Sequence, residues 1–263
     1  MLMKPTQQSR PPRFDVLGVG VDAIDMSDAL RVFEEAIERG GGHDYACALG
    51  VAGIMEARRN PEMRRILNAS ILNTPDGMPL VWLGKLHGYR NIRRVYGPDL
   101  LNEVCAYSAG RGWRHFFYGA APGVADQLAD EMRRRYPGIE IAGTYCPPFR
   151  ELTEEEEEGL FARVREAGTD IFWVGISTPR QLYFMGKYRG RIPARIICPV
   201  GYAFDVHAGV KKDAPEWIKH SGFQWLHRAL TDPRLWSRYL RDNPRFAVEA
   251  LLQLCRLKKF PKD

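Results

Sequence analysis

The chain has 263 residues, of which 45% are hydrophobic and 27% charged, a composition typical of globular domains and unlike that of disordered, collagenous or membrane-spanning chains. Its five cysteines are scattered and include no Cys-x-x-Cys pair, so neither a zinc site nor a disulfide framework is indicated and a reducing cytoplasm is expected. The formal net charge of +6 is confined to the C-terminal fifth, because residues 1–210 hold 26 basic and 26 acidic side chains whereas residues 211–263 hold 12 and 6.

The first residues are polar and rich in proline, and they lack the apolar core of a signal peptide. We therefore expect a disordered lead-in over residues 1–13. No later stretch is apolar over a length that would span a bilayer.

Strand-like and helix-like segments alternate from residue 14 onwards. Most of the segments between the strand-like runs begin on a capping residue or proline and end on glycine, and Ser27 and Asn60 are predicted N-caps. This alternation predicts βαβ units, and hence an α/β, Rossmann-like catalytic domain over residues 14–222 with a mainly parallel sheet flanked by helices. The strand-like runs cover residues 14–24, 45–51, 69–74, 113–119, 139–145, 170–177 and 194–201.

The pattern changes after residue 210, where no strand-like run follows. Pro233 and Pro244 divide this part into three helix-sized pieces rich in Trp, Leu and Arg, which predicts a basic helical C-terminal appendage over residues 223–263. A neutral body with a basic appendage favours an anionic partner, such as a phosphate-bearing ligand, an anionic membrane or nucleic acid.

Four loops follow predicted strands, and the C-terminal ends of parallel strands are where ligands bind in such folds. Two of them, 118–123 and 175–181, lead into helices whose free N–H groups can bind phosphate. The loop at 73–77 contains Pro-Asp-Gly, a common turn, so its Asp76 could serve the turn or a reaction. The chain contains neither Gly-x-Gly-x-x-Gly nor Gly-Lys-Ser/Thr, which disfavours simple NAD or ATP binding.

Five motifs occur in a fixed order along the chain: TPDGMPLVW, YGPDL, FFYGAAPGVADQLADEMRRRYPGIEIAGTY, VGISTPRQ and GYAFDVHAGVKKDAPEW. Together they resemble the WecG/TagA/CpsF glycosyltransferases (glycosyltransferase family 26) over roughly residues 14 to 245. The resemblance implies a hexosyl- or N-acetylhexosaminyl-transferase that needs neither metal nor cofactor and inverts the anomeric centre. The implied donor is a UDP-sugar, and the implied acceptor is linked to polyprenyl diphosphate in the synthesis of an envelope glycan or exopolysaccharide.

The resemblance also implies where the protein acts. Family members work at the cytoplasmic face of the membrane, and their appendage closes over the nucleotide and helps docking to the anionic surface. We therefore expect a peripheral protein on the inner face of the cell membrane, assembled as a homo-oligomer.

The resemblance assigns roles to individual residues. Asp76 would be the general base that takes the proton of the acceptor hydroxyl. Arg228 is the first candidate for stabilising the departing UDP, because arginine can supply the charge where no metal does. The other predicted substrate-binding residues are Asn73, Thr74, Gly77, Arg94, Gly119, Gly175, Gln181, Gly201, Asp205, Arg234, Arg238 and Arg241.

The chain departs from the family pattern at four positions. Ala48 and Gly50 stand where the family has a polar Thr-x-Asn pair, Leu182 replaces an acidic residue, and Asp213 replaces the arginine of an Arg-Ala-Pro segment. The lost polar groups leave a second reading open, a non-catalytic UDP-sugar-binding or scaffold subunit of a polysaccharide assembly complex. A nucleic-acid partner is not expected, because the chain has a basic segment but no nucleic-acid-binding motif.

Overall fold

The computed structural model describes residues 10–262, so most of the expected lead-in, residues 1–9, lies outside the described residues. Residues 10–13 already contact the body. The side chain of Arg10 donates to the main-chain oxygen of Ser70, and the guanidinium of Arg13 pairs with the buried carboxylate of Asp22 over 2.7 Å.

A small antiparallel hairpin opens the fold, formed by β1 (Arg13–Val16) and β2 (Val19–Asp22). The single run expected over 14–24 is thus two strands. The chain reverses at Leu17 and Gly18, which both have positive φ, 53° and 90°, the backbone form of a two-residue hairpin turn whose twist matches that of the flanking strands.

The main sheet has six strands, every neighbouring pair of which is parallel. Their order across the sheet is β4-β3-β8-β7-β5-β6. The parallel pairing confirms the predicted Rossmann-like α/β architecture. The strands are β3 (Asp44–Leu49), β4 (Leu72–Pro75), β5 (Arg114–Gly119), β6 (Glu140–Tyr145), β7 (Ile171–Gly175) and β8 (Ile196–Pro199).

Within residues 10–262, nine helices connect or follow these strands. Asn60 caps α3 as predicted, since its side chain accepts from the amides of Glu62 and Met63. The cap predicted at Ser27 is wrong, because Asp25 and Asp28 form a capping box that starts α1 one residue before Ser27. The helices are α1 (Met26–Arg39), α2 (Val51–Arg59), α3 (Pro61–Ala69), α4 (Met78–Leu86), α5 (Gly97–Ser108), α6 (Val124–Arg135), α7 (Glu154–Glu166), α8 (Arg180–Tyr188) and α9 (Ala203–His207).

Two apolar clusters form the core, one on each face of the sheet. Helices α1, α5 and α6 bury one face, whereas α2, α3 and α8 bury the other together with the hairpin. Consecutive residues of β7 point to opposite faces, so Phe172 belongs to one cluster and Trp173 to the other. This arrangement leaves the C-terminal ends of the strands as the open edge of the sheet.

The C-terminal segment is helical, as predicted, but its division differs. It contains α10 (Glu216–Ser221), α11 (Gln224–Thr231), a 3₁₀ turn (Pro233–Leu235) and α12 (Trp236–Leu254). Pro244 lies inside α12 and does not end it. Pro244 is on the exposed side of the helix, so the carbonyl of Leu240 that it leaves without a helical partner faces water, and packing on the opposite side holds the helix together.

Helix α12 packs directly on the α/β body. Phe246 and Ala250 belong to the same core cluster as the hairpin and α2. Asp242, which is buried, pairs with Arg59 of α2 over 2.7 Å. No helix among residues 10–262 is both long and apolar enough to cross a membrane.

The far end of the C-terminal segment is bound to the N-terminal hairpin and to α3. The amide of Leu17 donates to Oε1 of Gln253 over 2.9 Å, and Nδ2 of Asn68 donates to the main-chain oxygen of Lys262 over 3.0 Å. Gly18 lies so close to Pro261 that a Cβ atom at Gly18 would come within 2.1 Å of the proline's main-chain oxygen.

Candidate active site

A cavity of about 1220 Å³ opens at the C-terminal edge of the sheet. Its floor is formed where β3, β4, β7 and β8 end, and α2, α4 and α8 begin at its wall. Residues of α10, α11 and α12 form its other side. The cavity therefore lies between the α/β body and the C-terminal segment, where the sheet rule places a ligand.

Asp76 lies at the floor of this cavity, directly after β4. Its Oδ2 accepts a hydrogen bond from the amide of Gly97 over 3.0 Å, and its side chain keeps 24% exposure. The main-chain amide of Asp76 donates to the oxygens of Leu49 and Thr74. These bonds hold the turn while the carboxylate faces the cavity, so the turn and the reactive position coexist.

The surroundings of Asp76 act on its pKa in opposite directions. Burial raises the pKa of the carboxyl, whereas the guanidinium of Arg94, the amide of Gly97 and the more distant Arg228 lower it. Burial is the larger effect, so the pKa of Asp76 is raised above its usual value. A carboxylate with a raised pKa is a stronger base when ionised, which suits proton abstraction near neutral pH.

Arg94 ties the Asp76 turn to the C-terminal segment. Its Nε donates to the main-chain oxygen of Asp76, its Nη1 to that of Lys219 over 2.9 Å, and its Nη2 to the side-chain oxygen of Gln224. Its guanidinium lies 4.1 Å from the ring centre of Tyr96 and 3.9 Å from Oδ1 of Asp76. The side chain of Arg94 is only 9% exposed, so this predicted site residue is buried at the edge of the cavity, where it links the Asp76 turn to α10 and α11.

The C-terminal segment adds Arg228, Arg234 and Arg238 to the lining of the cavity, beside Arg94 and Arg180 of the α/β body. Arg228 of α11 lies with its guanidinium 4.2 Å from the ring centre of Tyr202. Arg238 of α12 donates to the main-chain oxygen of Thr178, and its buried Nε has no partner among residues 10–262. Arg234 lies at the mouth, 82% exposed and paired with Asp232. Of these three arginines, Arg228 and Arg238 have guanidinium nitrogens available to an anionic ligand.

Gln181 has an unused acceptor in the cavity. The residue is 6% exposed, its Nε2 donates to Oγ1 of Thr178, and its Oε1 has no hydrogen-bond partner in the described part of the chain. Gly201 packs so closely that a Cβ there would lie 3.1 Å from this oxygen. Because buried acceptors are normally satisfied, this atom is available to a donor group of a ligand.

The structure brings most of the predicted site residues to one cavity, but not all of them. Asn73 and Thr74 are fully buried behind it, where Asn73 donates to the oxygens of Gly20 and Leu67 and Thr74 to that of Val95. The structure thus gives their side chains a part in holding β4. The predicted residues that line the cavity are Asp76, Gly77, Arg94, Gly175, Gln181, Gly201, Asp205, Arg228, Arg234 and Arg238.

Two further predicted residues also lie outside the cavity. Arg241 is 61% exposed and pairs with Asp242 on another side of α12. Gly119 lies behind the cavity, where a Cβ would come within 2.9 Å of Gly175, although the next residue, Ala120, does line the wall. Both were predicted to be site residues because the sequence does not show which side of α12 Arg241 occupies, nor how far behind the cavity surface Gly119 lies.

A polar cluster beside Arg94 escaped the sequence-based prediction of site residues. Asp213 accepts from the hydroxyls of Tyr96 and Tyr202 over 3.1 and 2.7 Å and pairs with Lys219 over 2.9 Å. The amide of Gln224 donates to the hydroxyl of Tyr96 over 2.8 Å. Two features of the sequence could have indicated this cluster: the departure from the family pattern at Asp213, and the tyrosines inside the YGPDL and GYAFD motifs.

The departures at Ala48 and Gly50 lie beside Asp76. A Cβ at Gly50 would be 4.0 Å from Oδ1 of Asp76, and both residues line the cavity. Gly50 is the N-cap of α2 and supplies no side-chain cap, so the first amides of that helix remain open to the cavity. Here the floor offers main-chain donors where the family pattern has polar side chains.

One wall of the cavity is apolar and partly open to solvent. Trp82 and Leu86 of α4 are 46% and 69% exposed, and Phe223 and Leu251 from the C-terminal segment are 59% and 61% exposed. The same cavity therefore combines a charged floor with an apolar wall. Within residues 10–262, no group of three His, Cys, Asp or Glu side chains is placed to hold a metal ion.

Comparison with known proteins identifies the relatives of this chain. The sequence model described as the glycosyl transferase WecG/TagA/CpsF family matches residues 14–260. The chain is 31% identical over 196 residues, 74% of each chain, to the N-acetylglucosaminyldiphosphoundecaprenol N-acetyl-beta-D-mannosaminyltransferase of Bacillus spizizenii strain W23. It is 27% identical over 195 residues, again 74% of each chain, to the protein of the same description from Bacillus subtilis strain 168.

Proposed function

The chain belongs to the WecG/TagA/CpsF glycosyltransferase family, and from this membership we propose that it transfers a sugar from a UDP-sugar to an acceptor linked to polyprenyl diphosphate. The activity for which its relatives are named supports an N-acetylhexosaminyl group as the sugar and a lipid diphosphate carrying N-acetylglucosamine as the acceptor. The observation that carries the proposal is the carboxylate of Asp76, held at the floor of a cavity large enough for both substrates.

The proposed reaction is a single displacement. An acceptor oxygen attacks the anomeric carbon, the bond from that carbon to the β-phosphate oxygen of UDP breaks, and Asp76 takes the proton of the attacking hydroxyl. One displacement inverts the anomeric centre. The raised pKa of Asp76 supports its role as the base, because a group that binds its proton more tightly is a better acceptor of one.

The departing UDP carries growing negative charge, and we propose that the arginines of the cavity stabilise this charge. Arg228 and Arg238 both line the cavity, and Nε of Arg238 has no partner within residues 10–262. Charge-assisted hydrogen bonds from guanidinium groups to a diphosphate are among the strongest that a protein makes. This supply of positive charge supports a reaction without a metal ion.

The apolar wall and the outer face of α12 support a membrane-bound acceptor. Leu240, Val248 and Leu251 are 62%, 59% and 61% exposed on α12, and their spacing of eight and three residues places them on one stripe of the helix. Arg241 and Arg245 flank this stripe and are also exposed. An apolar stripe with basic flanks is typical of helices that lie on anionic membranes, and we propose this surface as the docking face.

The test is sugar transfer from a panel of labelled UDP-sugars to a lipid-diphosphate acceptor, in the presence of EDTA. The proposal expects turnover of at least one donor with inversion, and loss of turnover in Asp76→Asn. A strict requirement for added divalent metal would contradict the assignment of leaving-group charge to the arginines.

A scaffold subunit is the second candidate, because Ala48 and Gly50 remove polar side chains beside Asp76. Calorimetry separates the two candidates. A scaffold would bind UDP and turn over no donor in the panel, whereas the proposed transferase would do both.

A further inference from the structure

The carboxylate of Asp213 collects five polar contacts on the loop between α9 and α10. Its Oδ1 accepts from the hydroxyls of Tyr96 and Tyr202, from the amide of Ala214 over 2.8 Å and from Nε2 of Gln224 over 3.4 Å. Its Oδ2 pairs with Lys219 over 2.9 Å, and the side chain is 14% exposed. A carboxylate this well satisfied is a fixed point in the structure.

Three of these partners are also the groups on which Arg94 rests. Arg94 lies on the ring of Tyr96, donates to the side-chain oxygen of Gln224 and donates to the main-chain oxygen of Lys219. Tyr96 is 128 residues away from Gln224 along the chain, whereas Lys219 and Gln224 stand in the successive helices α10 and α11. Asp213 is therefore a common partner that fixes them relative to one another.

Arg94 in turn sets the surroundings of Asp76. It donates to the main-chain oxygen of Asp76 and lies 3.9 Å from its Oδ1. We propose that Asp213 is a positioning residue that fixes Arg94 and, through it, Asp76; the inference rests on the proposed role of Asp76 as the base. In this chain an aspartate at a position where the family pattern has arginine thus serves the same reaction from a distance.

A direct electrostatic effect and a positioning effect have opposite signs at Asp76. The charged groups that face Asp76 are Arg94, Arg228 and Asp213, together with the amide of Gly97. Removing the negative charge of Asp213 alone would lower the pKa of Asp76, because like charges disfavour ionisation. Releasing Arg94 would raise it, because the nearest positive charge would withdraw. The direction of the change therefore distinguishes the two effects.

The amide of Gly97 provides a reporter at the site itself, since it donates to Oδ2 of Asp76. Its chemical shift in the full, isotope-labelled chain, followed against pH by NMR, reports the ionisation of that carboxylate. The variants are Asp213→Asn, Arg94→Gln and the two combined. Glu216→Gln is the matched control, because Glu216 pairs with the same Lys219 over 2.8 Å but is 75% exposed and has no contact with Arg94.

We expect the shift of the titration midpoint that Asp213→Asn causes at Gly97 to have opposite signs in the presence and absence of Arg94. Asp213→Asn raises the midpoint at Gly97 by roughly 0.5 to 1 pH unit when Arg94 is present, and lowers it in the Arg94→Gln background, where only the direct charge effect remains. Glu216→Gln leaves the midpoint within about 0.2 unit of wild type. A lowered or unchanged midpoint for Asp213→Asn in the presence of Arg94 would overturn the proposal.

The same variants are assayed for transfer at pH 7. Asp213→Asn should lower kcat by about tenfold, the scale on which misplacement of a catalytic group acts, with little change in KM for the UDP-sugar. If wild type turns over no donor, the proposed function fails, while the sign of the Gly97 shift still decides whether Asp213 positions Arg94.

Discussion

The amide of Gly97 donates to Oδ2 of Asp76 over 3.0 Å, so the N-terminus of α5 holds the carboxylate that faces the cavity. The positive end of a helix stabilises an ionised group at this place. Burial acts the other way and raises the pKa of Asp76. The site therefore keeps a carboxylate oriented without neutralising its ability to accept a proton.

Asp76→Asn tests the base directly. An amide keeps the shape and an acceptor for Gly97 but cannot take a proton, so kcat should fall by roughly 10²- to 10⁴-fold while UDP binding persists. The matched control is Asp99→Asn, since Asp99 lies exposed in the first turn of α5 and does not line the cavity. Equal loss in both variants, or none in Asp76→Asn, would remove Asp76 from the mechanism.

The same substitution should stabilise the protein at neutral pH. Because burial raises the pKa of Asp76, the folded state binds its proton more tightly than the unfolded chain does. Stability then falls as pH rises from the unfolded pKa, about 3.9, through the raised folded value, and the loss persists at pH 7. Asp76→Asn should therefore unfold at a higher temperature than wild type at pH 7.

Thermal scans over a series of pH values check this sign. The advantage of Asp76→Asn should shrink as the pH falls through the titration range of Asp76 and vanish once the wild-type carboxyl is protonated in both states. A variant less stable than wild type at pH 7 would mean that Arg94 and Gly97 outweigh burial.

Arg228→Ala should weaken the stabilisation of departing UDP. Loss of one preformed donor of this kind costs roughly 10²- to 10³-fold in kcat. Arg228→Lys should recover only part of the rate, because lysine keeps the charge but cannot lie flat on the ring of Tyr202 as the guanidinium does. Arg133→Ala is the control, since Arg133 is exposed on α6, pairs with Asp130 and does not line the cavity.

Pro244→Ala should increase stability. The substitution restores an amide that can donate to the carbonyl of Leu240 and removes the ring from the interior of α12, a gain of about 1 to 3 kcal/mol in the free energy of unfolding. Denaturant titration measures it, with Pro244→Gly expected to gain less because glycine is a poor helix former. A loss of stability in Pro244→Ala would show that Phe246 needs a bend at this position to reach the core.

The apolar stripe on α12 should carry membrane binding. Leu240→Glu combined with Leu251→Glu changes exposed side chains, so folding should be preserved while affinity for anionic vesicles falls by at least about tenfold. Co-sedimentation with vesicles measures it, and wild type with uncharged vesicles gives the contribution of the basic flanks. Unchanged sedimentation of the double variant would place the docking face elsewhere.

The fold could be predicted from the sequence because alternating apolar runs and capped amphipathic stretches are local signals. The hairpin at Leu17 and Gly18 was missed because positive φ at a leucine leaves no mark in the pattern. Pro244 was expected to end a helix, but it lies inside α12. Only the structure shows that it is on the solvent-exposed side of that helix, where a proline is tolerated. In both cases the outcome depends on tertiary structure, which local sequence patterns do not show.

The candidate site divides in the same way. Asp76 was found because its motif occurs together with four others along the chain. Asn73 and Thr74 of the preceding strand β4 are both buried because both faces of the sheet are covered, and their side chains bond to Gly20, Leu67 and Val95. Asp213 was noticed only as a mismatch. Its partners are separated from one another by up to 128 residues, and no local pattern can reveal such a cluster.

The bonds of Gln253 to the N-terminal hairpin and of Lys262 to α3 limit how the C-terminal wall of the cavity can move. A C-terminal arm attached only at Gly222 could swing away as a whole. In this structure the C-terminal segment contacts the α/β body at both of its ends. Lys219 of α10 bonds to Arg94, and Gln253 and Lys262 bond to Leu17 and Asn68. Rotation of the whole segment about Gly222 would require these contacts to break, so the wall that the segment gives to the cavity is fixed relative to the floor that holds Asp76.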